Sequence, residues 1–312
     1  MNKTVLKKSK RWNLKHYELI IMAMVGVLCL LVFSYFPMVG VMLAFKDGNK
    51  SINLFGALMS PGFTLDNFTY ILTSQRFWSV FTNTLSLNML SLLIGFPAPI
   101  IFALLINEVR NKYLRRSIQT IANFPHFISW VIYGGIIMAM TNMSTGIVNP
   151  ILQALGILGK DEFISLNSSE YFWGEMIVAS LIKSVGWGSI VYTAAISGVG
   201  QEVYEAAEID GASRLQKAVW ITLPLISSTI TVFLLLDISR LLRNSFEQFY
   251  IFQNGENLSK SEVLATYSYS MGFTYRNYSY AAAMGLFDSA ISLLMLLTSN
   301  FISKKTTGRG IF

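Results

Sequence analysis

The chain of 312 residues is 53% hydrophobic and 13% charged, against about 25% charged in an ordinary soluble domain. Its net charge of +7 arises from basic residues clustered beside apolar runs, as topology signals are, and no nucleic-acid-binding motif accompanies them, which argues against a nucleic-acid partner. One cysteine, Cys29, permits no internal disulfide, and two histidines, His16 and His126, are too few for a histidine-rich metal site.

The first apolar stretch follows a basic leader, so a signal peptide has to be weighed. Its core over 19–36 is longer than a typical signal core, and no Ala-x-Ala site follows, so a retained transmembrane helix is expected. About 20 apolar residues span the hydrocarbon core as a helix. Segments at about 17–44, 80–106, 118–140, 172–197, 223–246 and 280–302 meet that length, which predicts an all-α membrane protein with about six spans. Continuous apolar runs, rather than alternation over about ten residues, favour helices over barrel strands. Pro97 and Pro99 inside the second segment are expected to kink or locally unwind it.

Lysine and arginine counts orient the chain. With the N-terminus inside, one side holds Lys3, Lys7, Lys8, Lys10, Arg11, Lys15, Arg110, Lys112, Arg115, Arg116, Arg214, Lys217, Lys304, Lys305 and Arg309, fifteen in all. The other holds six: Lys46, Lys50, Arg76, Lys160, Lys260 and Arg276. The excess predicts both termini in the cytoplasm of a cell whose cytoplasmic membrane carries the protein. The chain then divides into a basic cytoplasmic segment at 1–16, one membrane domain at 17–302 and a cytoplasmic tail at 303–312. The outer connections, at roughly 45–79, 141–171 and 247–279, are polar with interspersed aromatics. They read equally as surfaces that meet an external partner or as solvated loops.

The cytoplasmic connection at about 200–224 is unusual. A short helix over 201–209 would set Val203, Ala206 and Ala207 on one face and Glu202, Glu205 and Glu208 on much of another. Small Ala206 and Ala207 let a second surface approach closely. Gly211 is placed to end the helix in a left-handed conformation, and Pro224 suits the first turn of the next span. The segment reads as a short helix, a sharp turn and a return to the membrane, an element able to transmit a push, or else as a solvated amphipathic loop.

Glu205-Ala206-Ala207, then Gly211, then Ile221-x-Leu223-Pro224 resemble the EAA loop of binding-protein-dependent ABC importer permeases, with every anchor at the expected spacing. Ala103-Leu104-Leu105-Ile106-Asn107-Glu108, Phe124-Pro125-His126-Phe127-Ile128-Ser129-Trp130, Gly186-Trp187-Gly188-Ser189-Ile190, Tyr278-Ser279-Tyr280-Ala281-Ala282-Ala283 and the ending Gly308-Arg309-Gly310-Ile311-Phe312 look like the oligosaccharide-uptake branch. The resemblance implies that Glu205, Ala206, Ala207, Gly211, Ile221, Leu223 and Pro224 form a coupling helix and its flank, docked on an ATPase. It further implies a second homologous permease subunit, two ATPase subunits holding ATP and Mg, an extracytoplasmic solute-binding protein, surrounding membrane lipid and an oligosaccharide substrate.

No cofactor is expected on this chain itself. No Gly-x-x-x-x-Gly-Lys-Ser/Thr loop occurs; Lys183-Ser184 has Ile177 and Ile182 where glycines are needed. The chain is therefore read as a transport subunit and not an enzyme. Lys183, Asp237, Arg240, Arg243 and Asp288 fall within or near the spans, where a charge costs roughly 2.5–3.5 kcal/mol. They line a solute path, or they form ion pairs and snorkelling charges that fix packing. Asp237 and Arg240 are three residues apart and able to pair on one helix face. A sugar path needs aromatic planes and amide partners, for which Trp130, Tyr133, Trp187, Tyr192 and Asn88 are candidates; packing or an interfacial belt is the alternative. An ion-gradient-driven secondary transporter is the rival reading, and it leaves the 201–224 loop without a docking partner. A membrane-embedded enzyme would need a convergent catalytic cluster that two distant histidines scarcely supply.

Overall fold

The computed structural model describes residues 14–47, 54–142, 144–159, 161–164, 168–308 and 310. Most of the basic N-terminal segment, with Lys50, Lys160 and Arg309, lies outside the described residues. All regular structure among the described residues is helical. In chain order the α-helices are α1 Leu14–Leu30, α2 Leu54–Met59, α3 Asp66–Thr73, α4 Gln75–Gly95, α5 Pro97–Asn107, α6 Lys112–Asn123, α7 Trp130–Met140, α8 Val148–Ala154 and α9 Phe172–Ser197. They continue as α10 Gln201–Ile209, α11 Arg214–Lys217, α12 Leu223–Leu225, α13 Ser227–Ser239, α14 Phe246–Phe252, α15 Leu258–Ser261, α16 Leu264–Tyr269 and α17 Tyr278–Thr307.

Four continuous helical segments are long and apolar enough to cross a membrane: Tyr17–Phe45, Gln75–Asn107, Phe172–Ser197 and Tyr278–Lys305. Two more crossings are broken, Lys112–Phe127 with Trp130–Met140 bent by 102° and Arg214–Leu225 with Ser227–Ser239 bent by 68°. Six spans are reached when each bent pair counts as one, so the expectation of a continuous third and fifth helix is corrected.

Local chemistry explains both breaks. In the third crossing Phe124–Phe127 tightens into a 3-10 turn around Pro125, Ile128 turns extended, and Ser129 restarts the helix by accepting from the Ile132 amide at 3.4 Å. In the fifth, Ala218–Thr222 widens into a π-turn, with the Leu223 amide reaching the Ala218 carbonyl. A proline ring lacks the amide and crowds the preceding turn. Ile226 then leaves helical geometry (φ −93°, ψ 5°) and α13 begins at Ser227. Pro224 therefore closes the first half of the crossing and does not open the span. The fifth helix also stops at Ser239, well short of 246.

Pro97 and Pro99 do less than expected. Only Phe96 interrupts α4 and α5; it keeps right-handed helical angles, its amide still reaches Leu92 at 3.2 Å, and the two helices form one 33-residue segment. Both prolines sit in the first turn of α5, where a missing amide costs little.

α9 is the central post, packed by α4, α5 and α6. A Cβ on Gly186 would collide with the Ala122 carbonyl and the Asn123 amide, and one on Gly188 would come 3.0 Å from the Pro99 ring. Small residues let helices approach closely in lipid, where hydrophobic exclusion does not drive their association. The 247–279 connection is not a solvated loop. Phe249, Phe252, Val263, Leu264 and Tyr267 are buried, and Glu262 grips Arg76 through two hydrogen bonds of 2.8 and 3.2 Å. Asn83 donates to the Ser259 carbonyl at 2.7 Å, and the Leu264 amide donates to the Thr84 hydroxyl at 2.9 Å. In contrast, every residue from Tyr17 to Val39 is exposed.

Candidate coupling element and solute cavity

α10 forms over Gln201–Ile209, as Glu202 in its first turn favours. Asp210 ends it, and Gly211 adopts φ +78°. The Gly211 amide donates to the Glu208 carbonyl at 3.1 Å and the Ala212 amide to the Ala207 carbonyl at 2.9 Å. This pair of bonds is a Schellman closure, which requires a left-handed residue at the position glycine occupies. Ser213 then caps α11 through a reciprocal pair with Gln216.

The face pattern differs from the helical-wheel expectation. Ala207 is buried and Tyr204 half-buried, while Glu205 and Ala206 are exposed and Val203 is 39% exposed. Ile209 at 87% and, beyond the turn, Leu215 at 73% and Trp220 at 76% stand out as large apolar side chains with no cover. Glycine and α10 geometry thus leave an outward apolar surface, and the inward side is tied down. The Tyr204 hydroxyl lies 3.0 Å from the Thr222 hydroxyl, which is buried. Lys217 donates to Glu208 at 2.6 Å, and Arg214 pairs with Glu108, just past the end of α5, at 3.5 Å. Lys217 and its charge hold the Glu208 carboxyl below the usual carboxylate range. Leu223 packs with Tyr192, Ile100 and Ile226, whereas Ile221 is half-buried and Pro224 exposed. Tyr204–Thr222 and Leu223 thus link α10 to the 68° bend that precedes α13.

A cavity of about 270 Å³ lies between α4, α9 and α13. Asn88, Asp237 and Arg240 line it, three of the residues expected on a solute path, together with Ser91, Ser180 and Ser184, which sequence reasoning did not single out. Asn88 and Asn244 exchange amide hydrogen bonds of 2.9 and 3.1 Å, and Asn88 also donates to the Leu241 carbonyl at 2.7 Å. Asn244 and the serines carried no sequence signal beyond their polarity inside apolar runs. Asp237 and Arg240 make no ion pair with each other; both are exposed and line the cavity, to which they present an acceptor and a donor fork.

The remaining path candidates lie elsewhere. Lys183 is buried, and its ammonium donates to the carbonyls of Pro125 at 2.9 Å, His126 at 3.2 Å and Ile128, closing the break in the third crossing. Trp130 and Tyr133 pack their rings 5.2 and 5.4 Å from that ammonium, and the Tyr133 hydroxyl donates to the Ala179 carbonyl at 2.9 Å. Trp187 stacks on His126 at 4.5 Å, and Tyr192 is buried against Phe233. Asp288 faces Arg243 at 3.8 Å. These six residues do not line the cavity; the structure gives them packing and ion-pair neighbours.

Residues 95–308 match the family model described as the binding-protein-dependent transport system inner membrane component. Protein LplB of Bacillus subtilis is 39% identical over 287 residues, covering 92% of this chain and 88% of that protein. The polygalacturonan/rhamnogalacturonan transport system permease protein YteP of the same organism is 34% identical over 313 residues, covering 99% and 96%. The chain also superposes with a TM-score of 0.83 and 35% identity on a solved bacterial ABC transporter involved in the import of the acidic polysaccharide alginate, covering 94% of this chain and 97% of that one. A second such structure holds an alginate pentasaccharide-bound periplasmic protein, and the likeness covers 95% and 97% of the two chains. With the family model spanning most of the chain and two relatives matched nearly end to end, this protein belongs to the inner-membrane components of binding-protein-dependent transport systems.

Proposed function

We propose that the chain is one of two permease subunits of an ATP-driven importer that carries an oligosaccharide inward across the cytoplasmic membrane. The relatives named for saccharide transport and the likeness to the alginate importer support the cargo class. In this reading two ATPase subunits, which hold ATP and Mg, grip α10 from the cytoplasm, and a solute-binding protein delivers the sugar from outside. Both termini then face the cytoplasm, flanking one membrane domain at 17–302. Residues 205–207, 211, 221, 223 and 224 couple; Asn88, Asp237 and Arg240 contact the passing sugar.

The carrying observation is the Schellman-closed helix α10, whose exposed Ala206 and Ile209 adjoin a tie from Tyr204 to the bend of the fifth crossing. ATPase closure would move α10, and the bend would redirect α13, which carries Asp237 and Arg240 on the cavity wall. Ile209→Glu in the co-expressed assembly tests this. Co-purification of the ATPase should be lost while the chain still inserts in the membrane. Normal ATPase recovery with normal uptake would reject the coupling role.

A further inference from the structure

The cavity between α4, α9 and α13 sets its charged side chains apart from its neutral ones. Asn88 is held by Asn244 and the Leu241 carbonyl. The Ser184 hydroxyl donates to the Ser180 carbonyl at 2.7 Å, and the Ser180 hydroxyl accepts from Gln248 at 2.5 Å. The side chains of Asp237 and Arg240, by contrast, make no hydrogen bond or ion pair among the described residues, although both are exposed and both line the cavity. The next guanidinium along the chain is already answered, since Arg243 faces Asp288 at 3.8 Å. Arg240 is the cation left without a counter-ion.

The two free charges do not make equal demands. A carboxyl sheds its charge by taking up a proton, whereas a guanidinium stays charged throughout the physiological range. Arg240 caps the C-terminus of α13, and a helix end supplies only about half a negative charge. An unanswered cation at the end of a membrane crossing is costly, so its partner has to arrive with whatever enters the cavity. The planar fork of an arginine meets a carboxylate through two parallel hydrogen bonds, a match that a single sugar hydroxyl does not offer. Asp237, three residues back, is left to accept from hydroxyls of the same ligand. We infer that Arg240 reads a carboxylate on the passing sugar, so that the cargo is an acidic, uronate-bearing oligosaccharide. This rests on the proposed oligosaccharide cargo and narrows it to one chemical class.

The test is uptake by the assembled importer with its solute-binding protein. The probes are trisaccharides of galacturonate, glucuronate, mannuronate and guluronate, their methyl esters, and neutral trisaccharides of glucose, galactose and mannose. The unaltered chain should take up an acidic trisaccharide in preference to its ester. Arg240→Gln should lower the acid-to-ester ratio of kcat/KM about tenfold, the worth of one charge-assisted hydrogen bond. Arg240→Lys, which keeps the charge and loses the fork, should lower it less, and Asp237→Asn should leave it in place. The same binding protein serves every variant, so its own preference cancels in the comparison. An equal ratio in the unaltered chain and in Arg240→Gln overturns the inference. Uptake confined to neutral trisaccharides, which needs no variant to observe, also overturns it and spares the oligosaccharide cargo. Uptake of no trisaccharide at all removes that cargo and this inference together.

Discussion

Lys183 looked like a path residue because a lysine in an apolar run is conspicuous, and its role became visible only when the third crossing was seen to break. Its ammonium satisfies the His126 and Ile128 carbonyls, which the 3-10 turn and extended Ile128 leave without backbone donors, and shares the Pro125 carbonyl with the Ile128 amide. Lys183→Met keeps the stem and removes the donor, leaving the His126 and Ile128 carbonyls unpaired. We expect a loss of about 3 kcal/mol in unfolding experiments in detergent. Surviving protein should show an unchanged KM for uptake; a raised KM with intact stability would place Lys183 on the path. Glu208 supplies a pH signature of the opposite end of the molecule. Its carboxyl is depressed by Lys217, so its contribution is complete above the ordinary carboxylate pKa of about 4.3 and is lost as pH falls through its lower native value. Amide exchange of residues 201–211 should be flat, after correction for intrinsic rates, from neutrality to mild acid and rise only in stronger acid. Glu208→Gln should remove that acid limb. At this scale Asn88, Asp237 and Arg240 were legible as buried-type polarity in apolar runs. Their partner Asn244 was not, because a side-chain pair 156 residues apart in sequence leaves no local pattern.

Among the elements, α10 was the most legible, since its start, its length and its glycine stop are all local chemistry. Which face it buries was not, because Tyr204 is held inward by Thr222, eighteen residues on. Gly211→Ala tests the turn by itself. No atom lies within 4 Å of the added Cβ, so the cost of about 1 kcal/mol is backbone strain alone, and a modest fall in uptake should accompany it. Gly211→Pro locks φ negative and deletes the amide bonded to Glu208; it should abolish uptake while the spans stay inserted. Gly186→Ala acts differently, by forcing α6 away from α9, and should cost about 2 kcal/mol or more in stability. The two bends escaped sequence reading for a shared reason. Hydropathy records how apolar a window is and says nothing of direction, so a 102° turn inside an apolar run is invisible to it.

The whole chain combines a densely tied outer cap with a first helix that stands apart. The topology proposed for it is testable by cysteine labelling with an impermeant maleimide in a Cys29→Ser background. Tyr275→Cys should react in intact cells, and Ile209→Cys only after permeabilisation; the reverse pattern would invert the orientation. The outer connections read equally as partner surfaces or as solvated loops because Arg76, Asn257 and Glu262 are polar by composition, yet all three serve internal bonds. The leading helix has the opposite character. From Tyr17 to Val39 every residue is exposed, so its apolar surface is left for its surroundings to cover. A copy synthesised without its companions thus presents a greasy rod of more than twenty residues with its side chains uncovered. Such an orphan is an open invitation to membrane proteases and to clumping, and balanced production of the subunits becomes a condition of survival for each of them.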